Sequence, residues 1–200
     1  IEGLGPDPIQ FNGSLFRYDG RSLLAYRQKE ESSEIWICEL DERLLPCWNR
    51  RVEIPRERSN HVAVEDPRLF LHRGRLHVAY SGVGTDELGR SAVSVGYARL
   101  GEDFAVEKSV FPRYADRKPW EKNWQFFEWK GELFAVYTIH PHMVLRIVDD
   151  QAFPAYQESW SPCWFGGMLR GGASPVRVHG EYYAFFHGAS EETRPRSYSL

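Results

Sequence analysis

Short runs of apolar and aromatic residues alternate with turn residues along the whole chain. The runs have the length of β-strands, and no segment shows the 3.6-residue apolar period of a helix over 11 or more residues. Proline and glycine punctuate the intervening segments. Strands are predicted at 22–26, 34–39, 76–80, 92–100, 133–137, 143–148 and 182–186. The pattern predicts an all-β protein.

Four of these strands directly follow a turn glycine, which reveals an internal repeat. The glycines are Gly20, Gly74, Gly131 and Gly180, at spacings of 54, 57 and 49 residues. A period near 50 residues built from short strands is typical of a β-propeller with one blade per repeat. The fourth repeat ends soon after its second strand, so we expect a last blade to be missing and the sequence to be part of a longer chain.

Polar clusters occupy the same place in each repeat, eight residues before the turn glycine. Because propeller blades are related by rotation about one axis, equal phase in the sequence predicts equal height on that axis. One central mouth, with converging side chains, is therefore predicted. Its members are Asn12, Asp66 with Arg68, Lys122 with Asn123, and Arg170 with Ser174.

Composition narrows the class of partner. Charged residues make up 26% of the chain, the formal net charge is −3, and the charges are mixed, so nucleic acid is not the expected partner. The sequence contains no run of 18 apolar residues, so no membrane span is predicted. Aromatic residues reach 14%, which fits rings packed between blades or rings lining a sugar-binding mouth.

The three cysteines, Cys38, Cys47 and Cys163, show no CxxC spacing, so neither a zinc site nor a disulfide framework is predicted. Reduced thiols favour a cytoplasmic setting. Since the sequence begins at Ile1, a removed leader and secretion stay open. His140 and His142 lack a third ligand nearby, so no metal is expected.

Asp66 is the strongest candidate for chemistry. Pro67 biases it to an extended conformation, and regular strand alternation would place Asp66 and Arg68 on one face with Glu65 on the other. A partly buried carboxylic acid is the usual general acid in glycosidic bond cleavage. The structural alternative is a turn stabilised by a salt bridge.

Two further segments carry groups suited to an anion or a sugar. Lys122 and Asn123 offer a charge and an amide, and Trp124 a ring for stacking, although Glu121 and Lys122 would also suit a solvated loop. Arg170 precedes two glycines that let backbone N–H groups approach a ligand. His187 ends the fourth hairpin, where a structural histidine is the alternative.

At these residues the sequence resembles glycoside hydrolase family 130, the five-bladed propeller β-mannoside phosphorylases and related hydrolases. The resemblance spans about residues 8–188. Its most specific part is Glu65-Asp66-Pro67-Arg68 with the downstream Lys122-Asn123. The matching stretches are Asn12 with Ser14, Tyr26-Arg27, Glu65 to Arg68, Lys122-Asn123, Gly172 to Pro175 and Phe186-His187-Gly188.

The resemblance implies a single catalytic propeller domain over residues 1–200 that cleaves β-mannosides or similar short glycans with inversion. It makes Asp66 the proton donor and assigns the donor sugar to Asn12, Ser14 and Arg27. Further substrate contacts are assigned to Glu65, Arg68, Trp124 and Ser174. Phosphate binding falls to Lys122, Asn123, Arg170 and His187, with inorganic phosphate as co-substrate and no other cofactor.

Three alternatives stay open. Lys122-Asn123 continues into Trp124-Gln125 where the phosphorylases commonly have a Phe-Pro step, so hydrolysis competes with phosphorolysis. A related glycosyltransferase and a non-catalytic glycan-binding propeller would use the same mouth. Neither the sugar nor the oligomeric state is predicted.

Overall fold

The computed structural model describes residues 9–29, 31–55, 61–86, 88–160, 162–164, 167–190 and 198–199; of Ile9, Tyr198 and Ser199 only the backbone is described. Over these ranges the regular secondary structure is entirely β, with eighteen strands. The predicted all-β class is confirmed. The chain forms two compact units, one built from the described residues up to Phe111 with Arg117–Lys122, the other from Pro112–Asp116 and the described residues from Asn123 onward.

The first unit contains two four-stranded antiparallel sheets. The first sheet has the order β1-β2-β3-β4, with strands Ile9–Tyr18, Arg21–Lys29, Ser33–Leu40 and Pro46–Val52. The second has the order β5-β6-β7-β8, with strands His61–His72, Arg75–Thr85, Ser91–Leu100 and Val106–Val110. Each sheet is a meander of four strands, as in a propeller blade.

The second unit contains a five-stranded sheet and a smaller group of strands. The order of the five-stranded sheet is β10-β11-β12-β13-β9, with β9 parallel to β13. Its strands are β9 Arg113–Tyr114, β10 Gln125–Trp129, β11 Glu132–Thr138, β12 His142–Val148 and β13 Gln151–Glu158. The smaller group comprises β14 Met168–Gly171, β15 Val176–Val178, β16 Glu181–Tyr183, β17 Phe186–Ala189 and β18 Tyr198–Ser199.

Strand alternation builds the core of each unit. In β3 the buried positions Ile35 and Ile37 alternate with Glu34 and Trp36, so one face of the strand packs inward. Strand β6 is buried at almost every position, because both of its faces are covered. In the second unit Phe134, Val136, Ile139 and Val144 form a cluster, with Phe127, Leu169 and Phe186 packed against it.

The four glycine turns found in the sequence are real hairpins with one geometry. In each, both central residues have positive φ, which is the conformation of a two-residue type I′ turn. The pairs are Asp19-Gly20 (φ 48° and 73°), Arg73-Gly74 (50° and 69°), Lys130-Gly131 (51° and 79°) and His179-Gly180 (50° and 91°). Six of the seven predicted strands lie inside β2, β3, β6, β7, β11 and β12.

The fourth repeat departs from the prediction. The strand expected over 182–186 is interrupted after Tyr183 and resumes at Phe186, so that β15 pairs with β16 while β14 pairs with β17. At this interruption the Phe185 carbonyl accepts a hydrogen bond from the Gly172 N–H at 2.9 Å. This irregular hairpin places residues 170–174 beside the start of β10.

Candidate functional site

An unusual backbone conformation recurs at the predicted polar positions. Asn12, Asp66 and Asn123, each eight residues before its turn glycine, have φ values of 54°, 54° and 62°. In β1 the pairing register shifts between Phe11 and Ser14, and in β5 it shifts between Glu65 and Arg68. A left-handed residue in a β-bulge re-aims side chains, and such bulges are enriched next to functional sites.

The bulge in β5 overturns the expectation that Glu65 and Asp66 face opposite ways. Lys122 Nζ lies 2.8 Å from Glu65 Oε2 and 3.7 Å from Asp66 Oδ2, so both carboxylates face the same ammonium group. Neighbouring side chains face opposite ways only in a regular strand, whereas the register shift after Glu65 turns Asp66 to the same side as Glu65. Both acids therefore belong to one site.

Glu65 is held between two cations. Its Oε1 accepts a hydrogen bond from Arg27 Nη2 at 2.6 Å, while its Oε2 accepts one from Lys122. The Arg27 guanidinium also donates to Ser33 Oγ at 2.9 and 2.7 Å and lies 4.5 Å over the Phe11 ring. The Arg27 and Glu65 side chains are only 13% and 14% exposed. Glu65 therefore anchors the positive charges of Arg27 and Lys122.

Asp66 is bound more loosely than Glu65. Asn12 Nδ2 donates to Asp66 Oδ1, and the Lys122 ammonium is 3.7 Å from Oδ2, beyond ordinary hydrogen-bond length. Arg68, two residues further on, donates to the Pro67 carbonyl at 3.1 Å. Burial lowers the pKa of the Arg68 guanidinium, and the charge of Asp66 opposes that shift. Asp66 is thus the acid of this cluster that keeps capacity for a ligand.

Lys122 reaches the two acids because the preceding segment is bound to the second sheet. The Val93 N–H donates to the Pro119 carbonyl at 3.0 Å, and the Glu121 N–H donates to the Val93 carbonyl at 2.9 Å. Trp120 forms a parallel bridge with Val93. Glu121 is only 6% exposed, so the alternative of a solvated Glu121–Lys122 loop pair is wrong.

Ser14 has a structural contact in the first unit. Its side chain is 3% exposed, and its hydroxyl oxygen accepts a hydrogen bond from the Leu69 N–H at 3.0 Å. The hydroxyl therefore ties β1 to β5. That engagement differs from the expected contact with a donor sugar.

Trp124 lies in the core of the second unit and differs from the expected stacking platform. Its residue exposure is 3%, and its ring packs against Phe126 and Tyr137 at centroid distances of 6.2 and 5.3 Å. Other side chains therefore cover the ring that was predicted to stack on a sugar.

The second unit does bring three of the predicted phosphate-binding residues into one neighbourhood. Arg170 in β14 is paired in register with His187 in β17. The next residue, Gly171, approaches the Asn123 carbonyl so closely that a Cβ at Gly171 would collide with it. Ser174 is 7% exposed, and its hydroxyl has no hydrogen-bond partner within the described ranges. One mouth shared by the clusters of both units stays a prediction.

Gln125 is a residue that the sequence reasoning missed. Its side chain is fully buried, and its amide Nε2 donates to the Ala173 carbonyl at 2.7 Å and the Phe185 carbonyl at 2.8 Å. A polar residue at the head of the aromatic run Phe126-Phe127 was the available signal, because a buried amide needs hydrogen-bond partners.

Three further properties of the described residues concern metals, membranes and thiols. No group of three or more His, Cys, Asp or Glu side chains there is placed to hold a metal ion. Across the same ranges no helix has the length and apolar character needed to cross a membrane. All three cysteines are unpaired, and burial raises the pKa of the Cys38 thiol to about 11.

Comparison of the fold with solved structures identifies its architecture. The chain is similar to a β-1,2-mannobiose phosphorylase from Listeria innocua, with a TM-score of 0.65, 16% identity, and coverage of 99% of this chain and 73% of that enzyme. An α-L-arabinofuranosidase from Lactobacillus brevis gives 0.60 and 12%, with coverage of 92% and 67%. A glycoside hydrolase family 43 β-xylosidase/α-arabinofuranosidase from a compost microbial metagenome gives 0.57 and 13%, with coverage of 88% and 63%.

These similarities establish the fold. No protein-family model and no curated protein sequence matches the chain. The chain spans about two thirds of the length of the arabinofuranosidase and slightly less of the family 43 enzyme. At 12–16% identity the likeness shows a β-propeller of the type found in these glycoside-cleaving enzymes.

Proposed function

We propose that the protein is a glycosidase-like enzyme that cleaves β-mannosides or similar short glycans with inversion, using inorganic phosphate as the attacking group. The observation that carries this proposal is the identity of the residues at the repeated left-handed position, eight residues before three of the turn glycines. Of the three left-handed positions, Asp66 alone is an acid, while Asn12 and Asn123 are amides.

The pattern of acids favours phosphate over water as the nucleophile. Inverting hydrolysis needs a second carboxylate about 6.5–9.5 Å from the acid to activate water. Glu65 is a poor base for that purpose because both of its oxygens are engaged by Arg27 and Lys122. Phosphate brings its own negative charge and needs cationic and hydrogen-bonding groups instead of a base.

In the proposed reaction Asp66 donates its proton to the glycosidic oxygen as the bond from that oxygen to the anomeric carbon breaks. A phosphate oxygen attacks the anomeric carbon from the opposite face. A β-mannoside then yields α-mannose 1-phosphate and the free acceptor sugar. Asn123, Arg170 and His187 are the proposed phosphate ligands in the second unit, and Lys122 is the ammonium group beside Asp66 in the first.

The proposed substrate class rests on two supports. The residues Glu65-Asp66-Pro67-Arg68 with Lys122-Asn123 resemble family 130, and the fold is similar to that of an enzyme whose name states β-1,2-mannobiose phosphorylase. We therefore favour a β-mannobioside as the first substrate to test.

The decisive experiment incubates the complete protein with β-1,2-, β-1,3- and β-1,4-mannobiose, with and without inorganic phosphate, and follows the products by NMR. The proposal expects α-mannose 1-phosphate from at least one disaccharide, and only when phosphate is present. Equal release of free mannose with and without phosphate would replace phosphorolysis by hydrolysis. Absence of reaction, with binding retained, would favour a glycan-binding propeller.

A further inference from the structure

The segment Gly171–Ser174 has no regular secondary structure of its own beyond Gly171, yet it is fixed from one side by a single buried side chain. The Gln125 amide group donates one hydrogen bond to the Ala173 carbonyl, at 2.7 Å, and one to the Phe185 carbonyl, at 2.8 Å. The Gly172 N–H donates to the same Phe185 carbonyl at 2.9 Å. Gln125 therefore joins both arms of the irregular fourth hairpin to the start of β10.

The packing around Gln125 leaves this segment little freedom. A Cβ at Gly171 would lie 2.7 Å from Gln125 Cγ and would also collide with the Asn123 carbonyl. Asn123, with φ of 62°, is held in the left-handed conformation directly before this contact. The side chain of Gln125 thus sets the distance between the left-handed residue Asn123 and the Arg170–Ser174 segment.

Two buried polar atoms beside this contact have no hydrogen-bond partner within the described ranges. They are Gln125 Oε1 and Ser174 Oγ, on side chains that are fully buried and 93% buried (7% exposed) respectively. Buried polar atoms normally have partners, so a group that supplies them is expected at this place. The unpartnered Ser174 hydroxyl marks the segment as one shaped for a ligand, and not for packing alone.

We propose that Gln125 is a positioning residue, which sets the geometry of Arg170 and Ser174 for an oxyanion or a sugar hydroxyl by holding the Ala173 and Phe185 carbonyls. The inference rests on the proposed function for the identity of the ligand. The positioning role itself does not, because one buried amide bonds two backbone carbonyls from opposite arms of one hairpin.

The test uses Gln125→Met, which keeps the length of the side chain and removes both donors. Leu145→Ala is the matched control, because Leu145 is fully buried in β12 of the same unit and its apolar side chain donates no hydrogen bond to the segment 170–174. The two variants are compared by thermal unfolding, so that ligand binding is measured well below both melting temperatures. Gln125→Leu, which also lacks the donors and adds no charge, serves if the methionine variant fails to fold.

The first measurement is hydrogen exchange without any ligand. Gln125→Met should raise exchange at 170–174 at least tenfold and leave 133–138 in β11 unchanged, whereas Leu145→Ala should not act selectively on 170–174. Unchanged exchange at 170–174 in both Gln125 variants would overturn the inference whatever the protein binds.

The second measurement is the dissociation constant of inorganic phosphate in wild type, Gln125→Met, Arg170→Gln and the double variant. Gln125→Met should weaken binding about tenfold, the scale of one displaced charge-assisted hydrogen bond, and should add little once Arg170 is replaced. Full additivity would overturn the positioning role. If wild type binds neither phosphate nor any of the three mannobioses, the proposed function fails, and the exchange result alone decides whether Gln125 fixes the segment 170–174.

Discussion

The Lys122 ammonium donates to the Glu65 carboxylate at 2.8 Å, on the oxygen that Arg27 does not use. Glu65 thereby neutralises Arg27 and Lys122, whose side chains are 13% and 32% exposed. The neighbouring Asp66 keeps one oxygen that is less engaged, because Lys122 stays 3.7 Å from it. Removing one member of a buried charge cluster is costly because the remaining charges lose their partner.

We expect Glu65→Gln to lower the free energy of unfolding by about 1.5–3 kcal/mol, the scale of hydrogen bonds to charged groups, since Arg27 and Lys122 would keep their charges without an anion between them. Urea denaturation measures the change. Glu34→Gln is the control, because the Glu34–Arg51 pair at 3.0 Å is 24% and 49% exposed and should be worth less than about 1 kcal/mol. Equal losses in the two variants would contradict the anchoring role of Glu65.

Gly171→Ala should destabilise the protein by about 1–3 kcal/mol, because its Cβ would meet the Asn123 backbone carbonyl, which cannot swing away. Gly101→Ala should cost less than about 0.5 kcal/mol, since the atoms nearest to its Cβ, at 3.1 and 3.2 Å, end the side chains of Glu107 and Asp103. Thermal unfolding of both variants tests the difference. A Gly171→Ala protein as stable as wild type would show that the segment is not fixed there.

Stability should fall on acidification through one buried histidine. Burial lowers the pKa of His77 to about 4, and its ring is 5% exposed and stacks on Phe70 at 5.1 Å. The unfolded chain protonates this histidine near pH 6.5, while the folded chain resists protonation until about pH 4. The contribution of His77 is therefore complete above pH 6.5 and is lost as the pH falls towards 4, amounting to about 3 kcal/mol.

Urea denaturation at pH 7 and pH 4.5 checks this expectation in wild type and His77→Leu. The leucine variant should lose less stability between the two pH values than wild type does. The same decrease in both proteins would assign the acid sensitivity to other groups.

The sequence was sufficient for the repeat because turn chemistry is local. Asp19-Gly20 and its three counterparts adopt positive φ through their own residue types, and the strands predicted after the first three turns lie inside β2, β6 and β11. The same local regularity predicts opposite faces for Glu65 and Asp66, and that prediction is wrong. A β-bulge depends on how two strands pair, and the register shift between Glu65 and Arg68 has no signature that period-2 alternation can detect.

Other parts of the site depend on contacts between distant segments. Lys122 reaches Glu65 and Asp66 because Pro119–Glu121 pairs with Val93. The Ser14 hydroxyl accepts a hydrogen bond from the Leu69 N–H, 55 residues away. Trp124 was expected to be open to a sugar, but its burial is decided by Phe126 and Tyr137. Composition and spacing predict which residue types are available, whereas packing decides which of these side chains are already in contact with other parts of the protein.

The central claim is that Asp66 donates the proton to the leaving oxygen, and leaving-group dependence in Asp66→Asn tests it most directly. Turnover of a β-mannobioside needs that proton, so the variant should lose roughly 10²–10⁴-fold in kcat. A 2,4-dinitrophenyl β-mannoside, whose leaving group departs without protonation, should lose far less with the same variant and the same phosphate concentration. An equal loss on both substrates, or no loss on the mannobioside, would contradict the account and remove Asp66 from the role of acid.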